Sequence, residues 1–367
     1  MLTGLWLRGS LTLYLSRVRF LGPLFMFRCI TRLQSMILPK FQRKTVAVVC
    51  TVLCVNSVWV FANTLENEVS LCGFESTSSL SYVFTHNGSV KALSAFITEG
   101  YQYNGERIAI SADGNNQADD HTEARWPRAD EDDWAGTAAT LAMLAKKGLQ
   151  DKLVHYSFNN FIDAPPHTSE TNYMADSVTG AIKWWNFPKS PFFDVSKNTD
   201  RAIEHLAREI EKSSEHNPLY FIHMGPSEFF YQAVARVIDR EKIASLSHVY
   251  VVSHSGYNDN HLRRQAHHTM SDVLLLSGNR IHYKKIIDQN ACDKPATLWC
   301  SKSFEPFKWL KTHKDPSLRW LWERMQHNPK NKADLSDAGM VFFLLEGDEH
   351  GNPQKFRRFL GNSVMPI

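Results

Sequence analysis

The densest concentration of reactive side chains in this 367-residue chain is acidic. Asp113 is followed by Asp119-Asp120 and then by Asp130-Glu131-Asp132-Asp133. Carboxylates crowded onto one turn repel each other and hold protons more tightly. A hard cation relieves that repulsion, and Ca2+ accepts about six to eight oxygen ligands. A purely structural reading competes with this one. Asp133, just ahead of Trp134, suits a helix N-cap, and acids are favoured at the positive end of a helix dipole. Spacing alone leaves both open.

The elements that must carry these acids alternate in type. Residues 107–111 (Arg-Ile-Ala-Ile-Ser) read as a short strand that delivers Asp113 into Gly114-Asn115. Residues 134–147 are alanine-rich, made of strong helix formers, and stopped by Gly148. Residues 153–158 predict the next strand. Residues 198–213 predict an amphipathic helix with Ile203, Leu206, Ala207 and Ile210 on one face. A strand over 219–224, a helix over 227–238, a strand over 249–253 and a weaker strand over 273–276 follow. A last helix starts at Ser336 or Asp337 and runs to Leu345. Such alternation implies an α/β fold, a mostly parallel sheet with helices on both faces. Ligands of these sheets sit beyond the carboxyl ends of the strands. Two aromatic stretches, 184–188 and 309–322, are read as ordinary packing rather than as a lid, because aromatic residues dominate cores.

The segment 107–161 resembles the opening of the nucleoside hydrolase (inosine-uridine preferring) superfamily. There a strand ends in an Asp, a turn carries an adjacent Asp pair, and an alanine-rich helix follows. Asp113 matches the first position and Asp132-Asp133 the pair, with Asp119-Asp120 the alternative pair. Asn159-Asn160 matches the family's Asn-bearing turn. His223-Met224-Gly225-Pro226 is similar to its Gly-Pro turn, and Ser253-His254-Ser255-Gly256 to its following glycine turn. Ser336-Asp337-Ala338-Gly339 is similar to the late helix start that supplies another metal-binding Asp.

The resemblance implies a metal-dependent hydrolase of glycosidic, N-ribosidic included, bonds, with Ca2+ as cofactor and a small sugar or nucleoside-like substrate. On it, Asp113 would be the general base or a neighbour of the metal. Asp132, Asp133, Asp337 and the backbone carbonyl of Met224 would be metal ligands, and Asn160 a sugar contact. His254, with His261, His267 and His268 after it, lies where a leaving-group donor would stand. Three departures point to a divergent branch. Ser111 stands where the family usually has an Asp, an inserted loop separates Asp113 from the pair, and Ser336 replaces a common His. A noncatalytic calcium-dependent sugar-binding protein is the alternative. A phosphatase using Asp113 as nucleophile is a third reading, but its expected first acid is Ser111.

Composition sets the wider frame. The chain is 43% hydrophobic and 22% charged, with a formal net charge of +3. The positive excess is N-terminal, since no Asp or Glu precedes Glu66, and the remainder is mildly acidic. That balance excludes the basic footprint of a nucleic-acid binder. Gln42-Arg43-Lys44 followed by the apolar run 45–61 reads as an export signal, with an uncleaved membrane anchor as the other reading. The expected organisation is a leader over 1–62, with an over-called start at 1–35, an extension over 63–105 and the α/β domain over 106–367. Export permits disulfides, and Cys292 with Cys300 would close a short loop, leaving Cys72 over. Asn87-Gly88-Ser89 fits the glycosylation pattern.

Overall fold

Short apolar runs become the centre of a sheet. The computed structural model describes in full residues 101–114, 133–163, 172–294, 298–328 and 330–361, and before them only strand backbones between residues 5 and 92. The chain divides into two units, Met1–Glu99 and Gly100–Ile367. In the first, short antiparallel strands pair locally, as Val48–Cys54 does with Ser57–Asn63. The expected leader, Cys72 and Asn87 fall outside the residues described in full. No helix among the described residues is long and apolar enough to cross a membrane.

The second unit holds six strands: β1 (Arg107–Ala112), β2 (Leu153–Phe158), β3 (Phe192–Asp194), β4 (Leu219–Met224), β5 (Val249–Ser253) and β6 (His282–Lys285). All pair in parallel, in the order β3-β2-β1-β4-β5-β6. The fold is therefore α/β with a parallel sheet. Connections run outward in one direction from β1 and in the other from β4, so β1 and β4 flank the switch point where such sheets bind ligands.

The two-residue period of the strands divides the core in two. Ile108, Ile110 and Ala112 of β1, with Tyr220, Ile222 and Met224 of β4, pack on one face. There they meet α1 (Asp133–Lys146), α2 (Tyr173–Trp185), α7 (Pro316–Met325), α8 (Ala338–Glu346) and α9 (Pro353–Leu360). Ala109, Leu219, Phe221 and Val251 face the other way. They meet α3 (Thr199–Glu211), α4 (Glu228–Asp239) and α6 (Met270–Leu276). The sheet is covered on both faces, which is why β1 and β4 are buried along their whole length. Each fully buried Ile, Leu or Phe side chain contributes about 1.5–3 kcal/mol of transfer free energy.

Individual elements follow their sequences closely. The apolar face of α3 is buried at Ile203, Leu206, Ala207 and Ile210. Helix α1 is buried from Asp133 to Ala145, and its alanines keep it thin enough to lie between the sheet and α7–α9. Gly148, at φ +68°, ends it with its N–H on Ala145 O. One expectation is corrected: residues 273–276 are not a strand but the end of α6. Thr269 and Asp272 form a capping box there, each side chain bonding the other's backbone, and that box starts a helix that the leucines then continue. The edge strand β6 lies just beyond it. The aromatic stretches are packing elements: Trp185 and Phe187 are buried, and Trp309, Trp320 and Trp322 lie partly buried against the core. Cys292 and Cys300 are joined as a disulfide.

Candidate functional site

The carboxyl edge between β1 and β4 is drawn together by backbone bonds around Asp113. Its N–H donates to Met224 O at 3.3 Å and its carbonyl accepts from Asn159 N–H at 2.8 Å. Asn160 N–H donates to Ala112 O at 3.1 Å, and its side-chain Nδ2 donates to Ser111 Oγ at 2.7 Å. Two glycines make this closeness possible. Gly114 turns the chain at φ +73°, where a Cβ would stand 2.5 Å from Met174 Sδ and 3.2 Å from Asp133 Cβ. A Cβ on Gly225 would stand 2.8 Å from Asn160 Oδ1 and 2.9 Å from Asp113 N.

Three carboxylates from distant parts of the chain arrive here, and all are buried: Asp113 after β1, Asp133 opening α1 and Asp337 preceding α8. Asp133 lies beside Gly114. Asp337 lies against α1, its Cβ 3.6 Å from where a methyl on Gly136 would sit. The charges of Asp133 and Asp337, after burial itself, push the Tyr156 phenol well above its usual pKa. That hydroxyl donates to Thr137 Oγ1 at 2.7 Å. Asp337 does not cap its own helix; its Oδ1 is instead 2.8 Å from His254 Nε2.

The short helix α5 (Gly256–Asn260) completes the ring around these acids. Tyr257 OH donates to Asp113 Oδ2 at 2.9 Å, and Asn258 Nδ2 reaches Asp337 Oδ1 at 3.5 Å. His254 is fully engaged: Nε2 meets Asp337 and Nδ1 accepts from Gln289 N–H at 3.2 Å. Burial lowers its pKa, but Asp288 and Asp337 outweigh burial and raise it to about 9. Its Nδ1 thus faces both the Gln289 N–H and, at 3.6 Å, Asp288 Oδ1, while its Nε2 faces Asp337. Beside Tyr257, the His261 ring stacks on Phe161 with centroids 5.2 Å apart. Burial and the neighbouring Arg263 push its pKa down to about 4.

The donors gathered here are oxygens, of the kind that suit a hard cation such as Ca2+. Asn160 Oδ1 is buried without a hydrogen-bond partner, an acceptor that a cation or a sugar hydroxyl would satisfy. Buried carboxylates in such number are stable only when matched by positive charge or protons. In donor type these residues suit a divalent cation, although among the described residues the acids do not bring three ligand atoms within 4.8 Å of one another.

The expected site residues are therefore distributed as follows. Asp113, Asp133, Met224, Asn160, His254 and Asp337 come to one sheet edge. Asp132 and the alternative pair Asp119-Asp120 lie outside the described residues. The Met224 carbonyl accepts the Asp113 N–H, which leaves its second lone pair. His267 is set apart from the acids, its Nε2 3.2 Å from Asp163 Oδ2, and His268 ion-pairs with Glu228 at 2.8 Å. Ser336 Oγ lies 2.6 Å from Asp334 Oδ1 and 2.8 Å from Asn290 Oδ1, either of which can take its one proton. Tyr257, Asn258 and Gln289 were not anticipated. The one sequence signal for them is their position just past a strand end, where loops carry function. Elsewhere Cys292, Cys300 and Asp334 bring ligand-type atoms within 4.8 Å of one another. The sulfurs there are joined, and Lys332 Nζ pairs with Asp334 at 2.5 Å, so that trio is a structural cluster.

Compared with known proteins, the chain matches no family model and no solved structure. A protein of Formosa agariphila described as "Uncharacterized protein P22" is 30% identical over 260 residues, covering 67% of this chain and 85% of that protein. The chain belongs to the family of that protein.

Proposed function

We propose that this chain is a metal-dependent hydrolase of glycosidic bonds, N-ribosidic bonds among them, within the family it shares with the Formosa agariphila protein. The observation that carries the reading is that Asp113, Asp133 and Asp337, all buried, lie at one sheet edge beyond the carboxyl ends of β1 and β4, two of them reached from α5. Asp113, Asp133, Asp337 and the Met224 carbonyl would hold Ca2+. Bound there, the ion would orient vicinal sugar hydroxyls and a water.

The protein's own groups would divide the remaining work. Asp113, held on one oxygen by Tyr257, would take a proton from the water as the glycosidic bond breaks. Asn160 Oδ1 would accept a sugar hydroxyl. An oxocarbenium-like state is stabilised by nearby negative charge, and the buried acids supply it. The burial of the whole group excludes bulk water.

A second reading has a specific observation in its favour. His254, the anticipated leaving-group donor, is taken up by Asp337 and Gln289. A protein that keeps the cation and the sugar contacts but lacks a donor would bind without turnover. Incubation with a panel of nucleosides and glycosides in CaCl2 separates the two. Release of free sugar that disappears in Asp113→Asn supports the hydrolase. Calcium-dependent sugar binding with no release favours the binding protein, and the absence of both release and binding would remove both readings.

A further inference from the structure

Two of the three buried carboxylates are reached from consecutive residues of one short helix. Tyr257 OH donates to Asp113 Oδ2 at 2.9 Å, and the Asn258 carboxamide reaches Asp337 Oδ1 at 3.5 Å. The helix is itself tightly held. Ser255 Oγ accepts the Asn258 N–H at 3.1 Å. Asn258 Nδ2 donates to His223 O at 2.8 Å, while Asn258 O lies 2.9 Å from His223 Nε2 and accepts from Ser227 Oγ at 3.2 Å. His223 and Asn258 thus grip each other twice, one residue before Met224. Helix α5 ties the ends of β1 and β4 to the start of α8.

The consequence is mechanical. A carboxylate on a flexible side chain rotates about its last bond, and that terminal torsion is broad. A donor fixed to one oxygen removes the freedom, and a bond to an ionised acceptor is of the stronger kind. A site whose ligands are held before the ligand arrives binds it more tightly, because less freedom is lost on binding.

We infer that Tyr257 and Asn258 are positioning residues that preset the carboxylates of Asp113 and Asp337 for a divalent cation. The inference rests on the cation reading proposed above. Neither residue need touch the ion; each acts through the acid that it holds. Outer partners of this kind typically govern metal affinity by about 10–100-fold.

Isothermal titration of the chelator-treated full chain with CaCl2 tests it. Tyr257→Phe keeps the ring and loses only the hydroxyl, and its Ca2+ affinity should fall about tenfold. Asn258→Ala should weaken binding in the same direction and serves as an independent variant. Tyr103→Phe is the control: it deletes a phenol that donates to a backbone carbonyl ahead of β1, Glu106 O, at 2.7 Å. Its affinity should match the wild type. A general structural effect would lower the affinity of Tyr103→Phe as well, and that result overturns the inference. So does wild-type affinity in both Tyr257→Phe and Asn258→Ala. A wild-type chain that binds no Ca2+ takes the cation reading down first and this inference with it, so the two failures are told apart by the wild-type titration.

Discussion

The carboxamide of Asn160 fills the space that a side chain at Gly225 would need: a Cβ there would stand 2.8 Å from its Oδ1 and 3.0 Å from its Nδ2. The turn after β4 is glycine because the turn after β2 brings an asparagine to the same point. This contact joins two strand ends that flank the switch point, and it places an unsatisfied oxygen beside Asp113.

Gly225→Ala is therefore expected to damage the site more than the fold. Crowding a packed interior costs about 1–3 kcal/mol, and the atoms that must move are those of Asn160 and Asp113. Thermal unfolding of the variant should show a modest loss. Sugar or Ca2+ binding should fall well beyond it. Unchanged binding at a lowered Tm would show that the contact is packing alone.

Calcium should stabilise the folded chain by mass action. At a concentration of 100 times Kd, a ligand of the folded state contributes about 2.7 kcal/mol. Differential scanning calorimetry with CaCl2 and then with EDTA should show Tm rising and returning. In Asp133→Asn the rise should be lost. A wild-type Tm indifferent to CaCl2 would count against any ion among these acids.

Acid should destabilise the fold from near neutrality downward. Burial lowers the pKa of His155, His205, His223 and His261, the first with no exposed surface and the last to about 4. The unfolded chain titrates these groups near 6.5. Their folded pKa values are depressed, so the unfolded state binds more protons once pH falls below about 6.5. The contribution of these four groups is then full above that pH and declines beneath it, continuing for His261 to about pH 4, while His254, raised to about 9, works in the opposite sense above neutrality. Urea unfolding at stepped pH should give falling stability from about pH 6.5, with a shallower slope in His155→Phe. An equal slope in that variant would refute a buried neutral His155.

Reduction of the Cys292–Cys300 bond should loosen a surface of the core without unfolding it. Its sequence separation is 8, and a loop that short removes about 2–3 kcal/mol of unfolded-state entropy. Cys300→Ser should lose about that much by urea titration, with a further cost because Cys300 is buried beside Asp334. Peptide mass spectrometry under non-reducing conditions should recover the two cysteines linked.

Much of the framework was legible from residue order. Strands 107–111, 153–158, 219–224 and 249–253 were readable because buried parallel strands are short apolar runs bounded by turn residues. Asp113 and Asp133 were readable because one ends such a strand and the other opens a helix. Residues 273–276 misled because a short leucine-rich run suits either structure, and the deciding signal was the cap four residues earlier. β6 escaped notice because His282–Lys285 is polar and half exposed at a sheet edge. Tyr257 and Asn258 escaped it because α5 is too short to show a helical period.

Residue types along the chain, then, were enough to establish alternating strands and helices and to mark the acids at their ends. Which strands lie side by side, and hence which acids meet, came from the folded chain alone. An apolar period states which side chains turn inward but carries nothing about the neighbour they will find. Tyr257 reaches Asp113 across 144 residues, and His254 reaches Asp337 across 83. Such contacts exist because two cores close on opposite faces of one sheet, and no local preference encodes that closure.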